Sequence, residues 1–351
     1  MDEFGLIGRY FARPTHHTAL GVGDDAALID TAPGWQTAVA TDMLVEGVHF
    51  FADADPRSIG HKALAVNLSD LAAMGALPRH ALLGIALPAA DAAWLEAFAD
   101  GFAALAARWD VDWVGGDTTR GPLNLCVTVL GTLPRGGALL RSGARFGDDI
   151  WVSGVPGLAA LGLQQLQGDC VLEGAARAAA LRRLHTPEPR IALGLALRGV
   201  ASACIDVSDG LLADLGHLLR ASSAVSAGRA VSAPGGSSAH AMGSLAAELD
   251  ADPLFGPLQS LLASAGCARD TASIRQAVLS GGDDYELLFT AAPGSADAVH
   301  AAAVAVATPV VRIGRVLSAT TPTDDAAPPS ITLIEGAQRT GLAPSGYLHF
   351  G

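Results

Sequence analysis

A two-domain α/β chain is what the sequence predicts, on three observations. Its 351 residues exceed the length that one hydrophobic core usually serves. Strand-like and helix-like stretches are interleaved along it. A break at Gly136-Gly137 separates them into two groups, giving expected domains over residues 1–138 and 139–351. Half the residues are hydrophobic, enough for two cores, yet no apolar run approaches the roughly 18 residues that span a bilayer.

In chain order, residues 3–11 read as a short amphipathic helix. Gly21-Val22-Gly23-Asp24-Asp25 is a glycine turn carrying two carboxylates. A strand is expected near 37–41, with residues 45–50 continuing extended into a loop. Pro56 opens a long helix through 62–74, because proline in a first turn has no N–H to lose. Residues 80–87 read as a strand and 90–109 as a helix. Trp94, Leu95, Phe98, Phe102 and Leu105 recur there at helical spacing, a core stripe. A strand at 111–114 leads into the turn Gly115-Gly116-Asp117, and 125–133 alternates as a strand should.

The second half opens with a Gly147-Asp148-Asp149 hairpin turn into a strand at 150–153. Helices follow at 157–166, 173–185 and 189–198, then a buried strand at 203–207. Ser208 reads as the N-cap of a helix over 209–219, whose start would offer free N–H groups and a positive dipole end to phosphate. Residues 222–244, with the insertion extending to about 247, are rich in Ala, Ser and Gly and read as a flexible insertion. Helices are expected near 253–265 and 271–279. The turn Gly281-Gly282-Asp283-Asp284 runs into a strand at 285–290, followed by a helix at 295–306 and a strand at 310–316. A loop at 320–329 precedes a short tail.

The chemistry sits on the acidic turns. Carboxylates on glycine turns at Asp25, Asp117, Asp206, Asp209 and Asp283, joined by Ala40-Thr41-Asp42, repel one another unless a cation neutralises them. Hard oxygen donors of this kind select magnesium or calcium. Asp70 falls in a nearly all-apolar helix, three residues after Asn67. A buried carboxylate is expensive without a partner, so Asp70 is either internally hydrogen-bonded or a metal ligand, and the metal is the better reading.

Composition narrows the partners. A net charge of −13 argues against non-specific nucleic-acid binding. Lys62 is the only lysine and no Gly-x-x-x-x-Gly-Lys occurs, which closes the P-loop route to a nucleotide. Any phosphate bound here would rely on metal ions for positive charge. Cys126, Cys170, Cys204 and Cys267 are scattered with no Cys-x-x-Cys pair, the pattern of reduced thiols in a cytoplasmic protein. The start, Met1-Asp2-Glu3-Phe4, lacks the order of a signal peptide.

A set of motifs then carries a resemblance. In the first half stand Gly-Val-Gly-Asp-Asp, Thr-Asp-Met-Leu-Val-Glu-Gly-Val-His-Phe, Asn-Leu-Ser-Asp-Leu-Ala-Ala-Met-Gly-Ala and Gly-Gly-Asp-Thr-Thr-Arg-Gly-Pro. In the second stand Ile-Asp-Val-Ser-Asp-Gly-Leu and Ser-Gly-Gly-Asp-Asp-Tyr-Glu-Leu. In this order the chain resembles the bacterial thiamine-monophosphate kinase family. That family belongs with aminoimidazole-ribonucleotide synthetase, selenophosphate synthetase and a hydrogenase-maturation dehydratase. The resemblance implies an aminoimidazole-ribonucleotide synthetase-like fold, with mixed sheets flanked by helices and N-terminal-domain strands forming a homodimer interface. It implies ATP and several magnesium ions in a cleft, and direct transfer of a γ-phosphoryl group onto thiamine monophosphate, with no covalent nucleophile.

Carried over by position, Asp25, Ala40, Thr41, Asp42, Asp70, Asp117, Asp206 and Asp209 resemble the magnesium set. Gly116, Asp117, Arg141 and Ser208 resemble the ATP contacts; for Arg141 the plain alternative is a surface ion pair. His49, Asp283 and the tail position Pro344 resemble the substrate contacts. Three departures stand out: Ala40 for a serine, whose backbone carbonyl still serves; Asp283 for a glutamate, one methylene shorter; and Pro344 for a stacking aromatic, with Tyr347 and Phe350 nearby. Rivals are a purine-type or selenophosphate-type enzyme of the same superfamily, and, from another class, a non-catalytic calcium-binding module. Cys126, the first cysteine, lies in an expected strand, against the selenophosphate type. No EF-hand spacing supports the calcium module.

Overall fold

The computed structural model describes Tyr10, His16 and residues 32–231, 244–267, 269–319 and 328–347. The expected helix at 3–11, apart from Tyr10, and the first acidic turn with Asp25 lie outside the described residues, as does Phe350. The chain divides into two compact units, Met1–Ala138 with His185–Ile191, and Leu139–Leu184 with Ala192–Gly351.

The first unit is a four-stranded sheet under two helices. Strands β1 (Trp35–Val45), β2 (Leu77–Leu87), β3 (Asp112–Arg120) and β4 (Asn124–Pro134) run in the order β1-β4-β2-β3, with helices α1 (Pro56–Ala73) and α2 (Ala92–Arg108) between them in sequence. β4 pairs antiparallel with β1 and β2, and β2 pairs parallel with β3. Asp55 caps α1 by accepting the Ser58 N–H, and Pro56 takes the first-turn position expected of it. The aromatic stripe of α2 is core: Leu95, Phe98, Phe102 and Leu105 are buried, and Phe102 meets Trp113 of β3 at 4.3 Å between ring centroids. Alternation along β4 buries Leu125, Val127 and Val129, while the opposite face carries Cys126, Thr128 and Leu130. On β1 that open face presents Trp35, Val39 and Met43, at 43%, 63% and 55% exposure.

The segment His185–Ile191 belongs to this unit although its neighbours in sequence do not. His61 Nε2 of α1 donates to the Pro187 carbonyl at 2.9 Å, and Arg108 of α2 forms a two-pronged pair with Glu188 at 2.5 and 2.7 Å.

The second unit holds a seven-stranded sheet in the order β11-β10-β7-β9-β5-β8-β6. Its strands are β5 (Asp149–Ser153), β6 (Ala201–Asp206), β7 (Leu245–Asp250), β8 (Leu287–Ala291), β9 (Val310–Ser318), β10 (Ile331–Glu335) and β11 (Gln338–Leu342). Helices α3 (Leu158–Gln167), α4 (Gly174–His185), α5 (Ile191–Ala196), α6 (Leu211–Val231), α7 (Ala251–Ser264), α8 (Thr271–Ser280) and α9 (Ala296–Ala305) complete it. All pairs are antiparallel except β10 with β7. β5 and β8 are buried at every residue, the mark of strands covered on both faces. Among the described residues no helix is long and apolar enough to cross a membrane.

Several expectations need correction. Gly115-Gly116-Asp117 is no turn but the middle of β3. Residues 46–49 turn instead of extending, with the His49 N–H bonded to the Val45 carbonyl. The insertion begins later than its composition suggests, because α6 runs on to Val231; alanine is the best helix former and outweighs the serines. Residues 232–243 of that insertion lie outside the described residues. The strand β7 and the hairpin β10–β11 were not expected. Tyr285 and Glu286 precede the strand β8.

Candidate active site

In the first unit Ala40, Thr41 and Asp42 lie on β1 opposite Val129, Thr128 and Val127. Asp42 is therefore on the buried-face register and Thr41 on the open face, where its Oγ1 bonds Thr128 Oγ1 at 2.9 Å. The Asp42 N–H donates to Asn67 Oδ1 at 2.9 Å, and Asn67 Nδ2 donates to the Ala63 carbonyl at 2.9 Å. Fully buried Asn67 thus pins α1 to β1 at Asp42. Asp70 follows on the same side of α1, and it is half-buried where full burial was expected.

Gly116 has φ +153°, and a Cβ there would sit 1.8 Å from the Leu83 carbonyl oxygen. The glycine is required by strand crowding beside a register slip at Ala81–Leu82. Asp117 pairs with Gly84, which faces Cys126, so it is on the open face and on the strand at the far edge from β1. The sheet of one chain does not bring Asp42 and Asp117 together.

His49 is fixed twice. The Val45 N–H donates to its Nδ1 at 3.0 Å, so the neutral ring carries its proton on Nε2. Lys62 Nζ donates to the His49 carbonyl at 3.1 Å.

In the second unit the two acidic loops meet. The Asp283 N–H donates to the Ser208 carbonyl at 2.9 Å and the Tyr285 N–H to the Val207 carbonyl at 2.8 Å. A Cβ on Gly282 would lie 2.3 Å from the Ser208 oxygen, so only glycine permits that approach. The tail joins them: the Tyr347 N–H donates to the Asp209 carbonyl at 2.9 Å, and Pro344 packs beside Gly216 of α6. Ser208, Asp209, Asp283 and Pro344 are thus brought to one place. Asp206, 4% exposed, ends β6 just before it.

Ser208 is not the cap of α6, which starts at Leu211. The N–H groups of Ser208, Asp209 and Gly210 all reach Asp214 Oδ2, at 3.1, 3.2 and 3.2 Å. The phosphate seat expected at this turn is filled by the protein's own carboxylate. Burial pushes the Asp214 carboxyl up to about 8, with Asp206 and Asp209 adding to the rise against the pull of those N–H groups. Arg141 stands in the same field. His217 of α6 is held below its ordinary pKa by partial burial, then by Arg220 and Arg141, with Asp209 pulling the other way.

Does this donor set suit magnesium? Among the described residues no three His, Cys, Asp or Glu side chains gather closely enough to hold a metal on their own. Magnesium does not demand that: it keeps several waters and takes one or two carboxylates plus substrate phosphates. The paired negative charge of Asp206 and Asp209, felt at Asp214, is all hard oxygen and fits.

Comparison with known proteins decides the family. Residues 23–133 match the family described as AIR synthase related protein, N-terminal domain. The thiamine-monophosphate kinase of Salmonella typhimurium is 42% identical over 317 residues, 89% of this chain and 90% of that one. The chain belongs to the thiamine-monophosphate kinase family. The crystal structure of the family member from Stenotrophomonas maltophilia K279a matches with TM-score 0.77 at 44% identity, over 91% of this chain and 95% of that one. A structure described as AaThiL complexed with AMPPCP and TMP matches with TM-score 0.71 at 26% identity, over 92% and 89%. The two-sheet α/β architecture is thus the fold of this kinase family and of the AIR synthase relatives.

Three residues of this thiamine-monophosphate kinase family member escaped the sequence reading. Asp214 organises the Ser208–Gly210 turn. Asp284 accepts the Gly157 and Ala159 N–H groups at 2.6 and 3.2 Å, capping α3. Glu286, fully buried, accepts the Ser153 hydroxyl at 2.5 Å and pairs with Arg183 at 2.8 Å. A sequence signal existed for Asp284 alone: of two adjacent aspartates just before an apolar run, one can be expected to face inward. Asp283 and Tyr285 have φ of +64° and +49°, strain that the inward anchors at Asp284 and Glu286 hold in place.

Proposed function

We propose that the chain catalyses ATP-dependent phosphorylation of thiamine monophosphate to thiamine diphosphate. The observation that carries this is family membership across nine-tenths of the chain's length, including the acidic motifs in order. The acceptor is already a phosphate anion and needs little base catalysis. The difficulty is bringing two polyanions together, which calls for positioning and charge neutralisation.

Asp25, Thr41, Asp42, Asp70, Asp117, Asp206 and Asp209, with the Ala40 carbonyl, are the residues we assign to several magnesium ions. Bound magnesium would supply positive charge beside the phosphates in a chain whose net charge is −13. Gly116, Asp117, Arg141 and Ser208 would bind the nucleotide, Arg141 through the two-pronged geometry of its guanidinium and Ser208 through its hydroxyl, since its N–H is taken by Asp214. His49, Asp283 and Pro344 would hold the acceptor. His49 is suited to this because its Nε2–H, fixed by the Val45 bond, can donate to an anion. Transfer would be direct and in line, without a covalent intermediate.

We also infer a cytoplasmic homodimer. Its support is the open face of the first sheet, with Trp35, Val39 and Met43 exposed on the edge strand, and four unbridged thiols.

The test is formation of ADP and thiamine diphosphate from ATP, magnesium and thiamine monophosphate, with free thiamine as control acceptor. Turnover with the monophosphate alone is expected. Nucleotide binding without turnover would move the assignment to another acceptor within the superfamily.

A further inference from the structure

Ser222 sits in the stretch whose composition reads as a featureless insertion, yet it is 1% exposed. Its Oγ accepts the N–H groups of Gly143 and Ala144, both at 3.1 Å, and donates to the carbonyl of Arg141 at 3.2 Å. One donor and two acceptors are what a hydroxyl has, and all three go to the loop that carries Arg141.

The flanks of that loop are tied elsewhere. The Leu140 carbonyl accepts the Cys204 N–H at 2.8 Å. The Arg145 N–H donates to Asp148 Oδ2 at 3.0 Å, and the Ser202 hydroxyl donates to the same oxygen at 2.6 Å. Gly143, at φ +140°, passes so near β6 that a Cβ would lie 2.2 Å from the Ser202 oxygen. Both ends of the loop are thus fastened to β6 or to the turn before β5, while Ser222 holds its middle.

We propose that Ser222 is a positioning residue for Arg141 in nucleotide binding, an inference that rests on the reading of Arg141 as a nucleotide contact. An arginine side chain is long and loses its two-pronged geometry when its backbone origin moves by about 1 Å. Ser222 fixes that origin to α6, the helix that begins beside Ser208 and Asp209. One rigid helix then sets the distance between the arginine and the acidic loop.

Binding of magnesium with β,γ-methylene ATP, read by calorimetry on the full chain, tests this through a double-mutant cycle. Arg141→Met should weaken binding. Ser222→Ala, which strips two N–H groups and a carbonyl of their buried partner, should weaken it about tenfold with KM for the acceptor unchanged. In the Arg141→Met background the same change should cost less than about twofold. If Arg141→Met binds like the parent, the reading of Arg141 falls and this inference with it. If Arg141→Met weakens binding but Ser222→Ala does not, or the two losses multiply, the inference alone falls. The unaltered protein gives a check free of any folding defect. The Gly143 and Ala144 amides should exchange slowly with solvent, and more slowly with nucleotide bound; fast exchange in both states would overturn the latch.

Discussion

At Asp284 burial pushes the carboxyl up to about 7, against the pull of the Gly157 N–H, Arg183 and the Ala159 N–H. An aspartate in an unfolded chain titrates near ~3.9. Between these values the folded state holds a proton that the unfolded state has released, so stability is full at low pH and is lost as pH rises toward 7. Asp284 alone should lower the free energy of unfolding by about 2 kcal/mol from pH 5 to 7, and Asp284→Asn should remove that share of the slope while the share of Asp214 stays. Denaturant titrations at both pH values measure it; parallel slopes in parent and variant would refute it. Asp42 and Asp209 give the opposite expectation. The Asp42 N–H and the Asp209 carbonyl, both backbone groups, tie these positions into the fold, and an Asp→Asn change leaves those bonds in place. Asp42→Asn and Asp209→Asn should therefore melt like the parent while turnover drops by about a hundredfold or more. Substantial activity in both would end the metal assignment. At this scale the proposed ligands Asp25, Asp117, Asp209 and the proposed acceptor contact Asp283 stand out in the sequence because glycines lie beside them, whereas Asp42, Asp70 and Asp206 stand out through the family motifs. The partners of Asp284 and Glu286 were not legible, because they come from segments far away in sequence. Asp214 binds the turn just before it, and its role was hidden because the helix was expected to start at 209 and not at Leu211.

Long elements were legible from periodicity and punctuation: Pro56 at the start of α1, the aromatic stripe of α2, the alternation of β4. Short ones failed for definable reasons. β7, Leu245–Asp250, has almost no alternation, being buried through most of its length. β10 and β11 follow a proline-rich stretch; β10 gains its partner from β7, and β11 pairs in turn with β10. Gly-Gly-Asp reads as a turn from sequence, yet at β3 it lies within a strand, where Gly116 answers crowding against Leu83. The meeting of the two acidic loops is itself testable. Gly282→Ala places a methyl against the Ser208 carbonyl and should break the Asp283–Ser208 bond. It should cost about 1–3 kcal/mol of stability and lower turnover roughly tenfold. A variant with parental melting and kinetics would show that the loops can part without consequence.

For the whole molecule, the exposed β1 face makes association the first question. Val39→Glu and Met43→Glu each put a charge on a surface that, in a dimer, would be buried. Sedimentation should show the parent as a dimer and the double variant as a folded monomer; a monomeric parent would dismiss the dimer. Finally, the excursion His185–Ile191 limits how this chain can be divided. A fragment ending at Ala138 would lack Pro187, the acceptor of His61, and Glu188, the partner of Arg108. A fragment beginning at Leu139 would carry those seven residues as an unsupported loop. Gene shuffling that joins the two halves of different family members at the Gly136-Gly137 break would therefore exchange one more piece than intended, and viable chimaeras should be those that keep residues 185–191 matched to the first half.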